Sequence, residues 1–319
     1  MNILINILEQ GMLFAVLVMG IYITYKIMDF PDLSVDGTYP LGAAVCAVLI
    51  LNGVNPWVAT LISALVASLG GLITGFIHTK LSINGLMAGI LVMFGLYSVN
   101  LRVMGKSNIA LFNERNVFDM KAVNFFGEDV STLLLLIAFV VLIKVLFELF
   151  FKTKTGFFLR AVGDNEEILT SLGADSHKIK ILGLMVANFL AGLSGALTAQ
   201  YQGFSDIGMG TGSAVTALAA VIIGFSLLKK LNVSMSTVAI SGAILYKGIL
   251  VFVLRFGLDP NDFKLATAIA VILAMGFTSG AFKHKKKPVK KVILSEGGES
   301  FAESGSFVKN LQQGYTFRK

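Results

Sequence analysis

Cysteine occurs once in this sequence, at position 46, so no internal disulfide can form. Histidine occurs three times (His78, His177 and His284), too far apart to share a metal ion. No nucleophile–base pair and no HExxH run is present, which leaves a membrane enzyme without its chemistry. No GxxxxGK[ST] run is present either, so any nucleotide that powers this chain must bind another subunit. Charge is sparse, at 14 % Asp, Glu, Lys and Arg. No acid or histidine falls mid-span in a manner suggesting a proton relay, although intramembrane charge is what usually marks ion coupling.

What is abundant is apolar surface. Hydrophobic residues make up 55 % of the chain and the mean hydropathy is +0.79, the composition of an integral membrane protein. A spanning helix needs about 20 apolar residues, which predicts an all-α polytopic membrane helix bundle of nine spans. They cover 7–28, 38–53, 56–76, 82–104, 131–151, 179–200, 212–228, 234–254 and 264–282. The second span is short and opens on Gly37, Thr38 and Pro40, and the seventh is short and opens on Thr211, Gly212 and Ser213. Paired short, glycine-interrupted segments point to an inverted internal repeat around a central pathway. The first span lacks a basic leader and a small-residue cleavage site, so it reads as a retained helix.

Basic residues set the expected orientation. With the N-terminus outside, the inner loops carry Lys26, Lys80, Lys152, Lys154, Arg160, Lys178, Lys180, Lys229 and Lys230, and the tail adds six more from Lys283 to Lys291. The outer loops carry Arg102, Lys106, Arg115, Lys121, Arg255 and Lys264. Fifteen against six favours N-out, C-in. The outer loop 105–130 reads as a solvated connector or a docking element. The chain divides into a transmembrane domain, 1–282, and a basic cytoplasmic tail, 283–319, of disordered composition. That tail suits anionic headgroups and not nucleic acid, since no folded module accompanies it.

Small residues recur every four positions: Ser63, Ala67, Gly71 and Gly75; Gly183, Ala187, Ala191, Gly195 and Ala199; Gly212, Thr216, Ala220 and Gly224. Helices in lipid approach through such stripes, either as fixed packing or as faces that slide during transport. Thr38, Asn188 and Lys247 join these glycines as candidates for pathway or packing. Lys247 either snorkels or lines a cavity, and Lys144 and Glu148 stand four apart as a local pair.

The stretch KTKTGFFLRAVGDNEEILTSLGADSHKIK, 152–180, is a polar interruption that still reads as folded. Asp164 suits an N-cap, with Asn165, Glu166 and Glu167 in the first turn. Ile168, Leu169 and Leu172 form a narrow apolar face, and Gly173 suits the C-terminal cap. Such a short helix is marginal alone. It either lies on the membrane or its own protein, or docks on a partner.

Positions 160–203, RAVGDNEEILTSLGADSHKIKILGLMVANFLAGLSGALTAQYQG, resemble the cytoplasmic loop and following span of ABC-importer permeases of the branched-chain amino acid and ribose type. LSVDGTYPLGAA (33–44) and GTGSAVTALAAVIIG (210–224) resemble that family's second and seventh spans, and DFPDLSVDGT (29–38) is similar to a subgroup associated with tryptophan or tyrosine uptake. Positions 168–170 depart from it, since alanines are common there. The resemblance implies a multi-pass permease in the plasma membrane of a prokaryote. It also implies a second permease copy, two cytoplasmic ABC ATPases and an external solute-binding lipoprotein. Asp164 to Gly173 become the coupling helix in an ATPase groove, and ATP and Mg belong to that partner, with no cofactor on this chain. The residues themselves leave open an ion-coupled carrier using Lys247 or the Lys144–Glu148 pair, and a membrane scaffold.

Overall fold

The computed structural model describes residues 3–119, 128–164, 169, 173–228, 233–255, 265, 268, 269 and 272. All lie in the first of two units, 1–282 and 283–319, so the expected tail is outside the described residues. In chain order the helices are α1 (Ile3–Ile21), continued by a π-helical stretch (Tyr22–Ile27), α2 (Val35–Leu51), α3 (Pro56–Lys80), α4 (Gly85–Met104), α5 (Glu128–Lys152), α6 (Lys154–Asp164), α7 (Ser176–Gln202), α8 (Ser213–Leu228) and α9 (Met235–Arg255). Seven of these segments are long and apolar enough to cross a membrane, and α2 is a shorter apolar helix. Of the ninth expected segment, 264–282, only residues 265, 268, 269 and 272 are described, and they are helical.

The chain is not purely helical. β1 (Asn108–Ala110) pairs antiparallel with β2 (Phe204–Asp206), Ile109 opposite Ser205. The connector 105–130 is thereby tied to the end of α7, and the Gly203 carbonyl also accepts from the Leu111 amide at 2.7 Å.

Most of α7 is buried, and the reason is its run of small residues. A side chain at Gly195 would strike the Tyr39 carbonyl of α2. One at Gly192 would strike Ala67 on α3, and one at Gly71 the Leu184 carbonyl of α7. α1 lies along a third side, where the Ser194 hydroxyl donates to the Leu13 carbonyl at 2.7 Å. The stripe of α8 does the same locally: Gly224 meets the Val238 carbonyl and Gly242 of α9. The small-residue faces are therefore contacts within one chain, where backbone proximity replaces the hydrophobic drive that lipid removes.

Two helices start inside the bundle. After the π-helical stretch, Asp29 takes φ 50, a left-handed turn that aspartate tolerates, and the chain runs non-helically until α2 begins at Val35. β2 is followed by a 3-10 turn (Ile207–Gly210), and α8 begins at Ser213 after Gly212, at φ 79. Pro40 has no N–H to return to the Asp36 carbonyl, and Gly210 backs onto that bare carbonyl and the proline ring.

Candidate functional site

The site is built where α2 begins. Asn188 stands about midway along α7, fully buried among apolar side chains. Its Nδ2 donates to Asp32 Oδ2 at 2.9 Å and to the Leu184 carbonyl at 2.9 Å. Its Oδ1 accepts from the Thr38 hydroxyl at 2.6 Å and lies 3.2 Å from the Ser34 hydroxyl. Asp32 Oδ1 accepts from the Ser34 amide at 2.9 Å and hydroxyl at 2.6 Å. Every member of this buried set finds a partner, the condition under which such a network stiffens a core instead of weakening it. Thr38 and Asn188, candidates by sequence, are thus in direct contact.

Asp36, one turn away, reaches α8. Its Oδ2 accepts from the Gly212 amide at 2.9 Å, and its Oδ1 from the Ala214 amide at 2.6 Å and the Ser213 hydroxyl at 2.9 Å. A carboxylate from one broken helix therefore caps the N-terminus of the other, where unpaired amides and the helix dipole favour negative charge. Sequence reasoning counted acids only inside uninterrupted apolar runs and missed both Asp32 and Asp36. The available clue was the DLSVDGT stretch, in which two acids frame the start of a short span.

Gly37 and Thr211 border a cavity of about 460 Å³ between α2, α4 and the 207–211 segment, with Asp36, Tyr97 and Asn100 on its wall. Gly37 has Leu96 Cβ only 3.0 Å from where its own Cβ would stand, so α4 packs on it directly. Asn100 Nδ2 donates to the Gly37 carbonyl at 3.1 Å, while its buried Oδ1 has no partner. A second cavity of about 450 Å³ between α3, α5 and α7 is almost wholly apolar and offers a polar solute nothing to bind.

The remaining candidates fall elsewhere. Gly195 packs α7 on α2. Lys247 sits on α9 with its ammonium 5.0 Å from the Phe14 ring centroid, in a separate cavity that Tyr39 of α2 also lines. Lys144 and Glu148 make no direct ion pair among the described residues, although the Lys144 charge still acts on the Glu148 carboxylate. Lys144 donates to the Thr237 hydroxyl at 2.9 Å and Glu148 accepts from the Ser236 hydroxyl at 2.6 Å, so both clasp α9. Two hydroxyls presented together by a neighbouring helix outcompete an i, i+4 pair worth a few tenths of a kcal/mol.

The polar stretch 152–180 is described in part. Asp164 closes α6, whose Leu159 and Val162 are buried, while the turn that an N-cap at Asp164 would open falls on residues 165–168, outside the described residues. Leu169 is fully buried within the chain itself, so its side chain is not free for a partner's groove. Gly173 has φ 76 and the Ala174 amide donates to the Leu169 carbonyl at 3.2 Å, the turn that ends a helix. Asn165, Glu166, Glu167, Ile168 and Leu172 lie outside the described residues. Beyond the turn, Asp175 caps α7 through the His177 and Lys178 amides at 3.0 and 3.3 Å. The Lys178 amide, aided by its ammonium, holds the exposed Asp175 carboxyl below the ordinary aspartate range.

Comparison with known proteins gives a consistent answer. Residues 3–276 match the family described as branched-chain amino acid transport system / permease component. A tyrosine transport system permease protein of Clostridioides difficile is 43 % identical over 290 residues, covering 91 % of this chain and 96 % of that protein. A ribose import permease protein of Escherichia coli is 26 % identical over 226 residues, covering 70 % and 69 %. A probable branched-chain amino acid transport permease protein of Methanocaldococcus jannaschii is 27 % identical over 232 residues, covering 66 % and 70 %. No solved structure matches. With seven helices fit to cross a membrane among the described residues and this match over most of its length, the chain is a multi-pass membrane protein belonging to the branched-chain amino acid transport system permease family.

Proposed function

We propose that this chain is the membrane-spanning subunit of an ATP-driven importer for an aromatic amino acid, in the plasma membrane of a prokaryote. The observation that carries the reading is the meeting of two interrupted helices, α2 and α8, through Asp36. Half-helices that begin inside a bundle are the parts from which alternating-access pathways are built. The permease works as a homodimer, takes its solute from an external binding lipoprotein, and is driven by two cytoplasmic ATPases that carry ATP and Mg. The tyrosine permease similarity supports the choice of solute.

Nine crossings with the N-terminus outside put α6 and Gly173 in the cytoplasm. The non-helical approaches to α2 and α8 support an inverted repeat. The coupling element is the 164–173 stretch, touching the ATPase through exposed positions such as Asp164 and Gly173, since Leu169 is turned inward.

An ion-coupled carrier is the second reading, favoured by the two acids at the α2 start. Against it, the carboxyl oxygens of Asp32 and Asp36 are already engaged by backbone amides, hydroxyls and Asn188. The experiment is uptake of L-tyrosine by the complex reconstituted in proteoliposomes. Uptake requires ATP and persists when the proton and sodium gradients are collapsed. Gradient-driven uptake without ATP establishes the carrier instead.

A further inference from the structure

A third cavity, of about 490 Å³, opens between α1, α2, α7, α9 and the segment after α7. Its wall carries Lys247 and Asp206, the rings of Phe14, Tyr39 and Phe204, and the Thr198 hydroxyl. Lys247 is partly buried, and among the described residues no carboxylate lies within ion-pairing distance of its ammonium. Its contact is the face of Phe14, at 5.0 Å. A cation–π contact offsets only part of what it costs to withdraw an ammonium from water. Intramembrane lysines ordinarily pair with an acid or line a route for solute. Asp206, by contrast, is already engaged: its oxygens accept from the Gly208 amide at 2.7 Å and the Asn108 amide group at 3.3 Å. Among the described residues its wall thus bears a cation with no carboxylate partner, an anion already held by amides, and aromatic rings. That is the complement of a carboxylate carried by a molecule with an apolar or aromatic side chain.

We infer that this cavity receives the carboxylate of a permeating aromatic amino acid against Lys247, making Lys247 a specificity-determining residue of the permease. The inference rests on the amino-acid import reading. It adds a location and a chemical determinant, because Lys247 selects for the carboxylate, which a sugar does not offer.

The test is equilibrium binding to the full chain in nanodiscs of phosphatidylcholine alone, so that no lipid anion competes. Three probes are compared: L-tyrosine, 3-(4-hydroxyphenyl)propionate, which lacks the amine, and tyramine, which lacks the carboxylate. L-tyrosine binds best, the propionate binds measurably, and tyramine binds at least about tenfold more weakly than L-tyrosine, the order expected when a charge-assisted contact is lost. Lys247→Met removes the preference for carboxylate, and Lys247→Arg restores it. Equal binding of tyramine and L-tyrosine by the unaltered chain overturns the inference even if the methionine variant fails to fold. An undiminished carboxylate preference in a folded Lys247→Met variant overturns it as well. If carboxylate-selective binding persists but reconstituted uptake proves independent of ATP, the import mechanism falls and the cavity stands. If ATP-driven uptake persists without that selectivity, the cavity assignment alone falls.

Discussion

Asp36→Ala tests whether the two interrupted helices are held by one carboxylate. The substitution orphans the Gly212 and Ala214 amides and the Ser213 hydroxyl. An unsatisfied buried donor costs about 1–3 kcal/mol. The three donors share one acceptor and one helix dipole, so their costs do not add fully, and a half-buried site admits some water. A total of about 3–5 kcal/mol is reasonable, a large share of the roughly 5–15 kcal/mol by which folded chains are usually stable. At about 2–4 °C per kcal/mol for domains of roughly this size, the melting temperature falls by on the order of 10 °C. Asp36→Asn keeps one acceptor oxygen but turns an NH2 toward a donor, so it falls in between. Ser213→Ala, which removes one donor and leaves both amides capped, costs about 1 kcal/mol. The assay is thermal unfolding of the detergent-purified chain followed by size-exclusion fluorescence. An Asp36→Ala protein melting within about 2 °C of the unaltered chain refutes the argument.

Three further outcomes are expected. Gly195→Leu drives a side chain into the Tyr39 backbone and abolishes the folded yield, measured as the monodisperse fraction after extraction; an undiminished yield shows that α7 does not press on α2 there. Leu169→Asp places a charge in a fully buried position and lowers the same yield, whereas exposed Asp164→Arg leaves the fold intact and weakens ATPase co-purification; retention of the ATPase by Asp164→Arg removes that residue from the coupling surface. In a Cys46→Ala background, cysteines at exposed Glu114 and His177 label from opposite faces of intact cells with a membrane-impermeant reagent, and labelling of both from outside refutes the N-out topology.

Seven of the nine expected spans and the small-residue stripes were legible because both are local periodicities. A helix that must approach another backbone shows its small residues at every fourth position, as Gly183 to Ala199 do. The α2–α8 junction was not legible in the same way. Asp36 and Ala214 are 178 residues apart, and nothing in a one-dimensional pattern says that an acid at one helix start serves another. Leu169 shows a related limit, since an apolar face announces that something covers it and not whether that cover is the chain itself. The Lys144–Glu148 spacing suggested a direct ion pair, where the direct contacts go instead to Thr237 and Ser236, again on a distant element. β1 and β2 have three residues each, too few for alternation to register.

The Asp36 junction also has a kinematic consequence. A carboxylate that grips two backbone amides and a hydroxyl of another segment is a clamp: it resists both separation and twisting of the two helix starts. The approach to α2 comes from the π-helical end of α1, and the approach to α8 comes from the strand end of α7. Neither helix start can therefore shift far without carrying the other with it or breaking these three contacts.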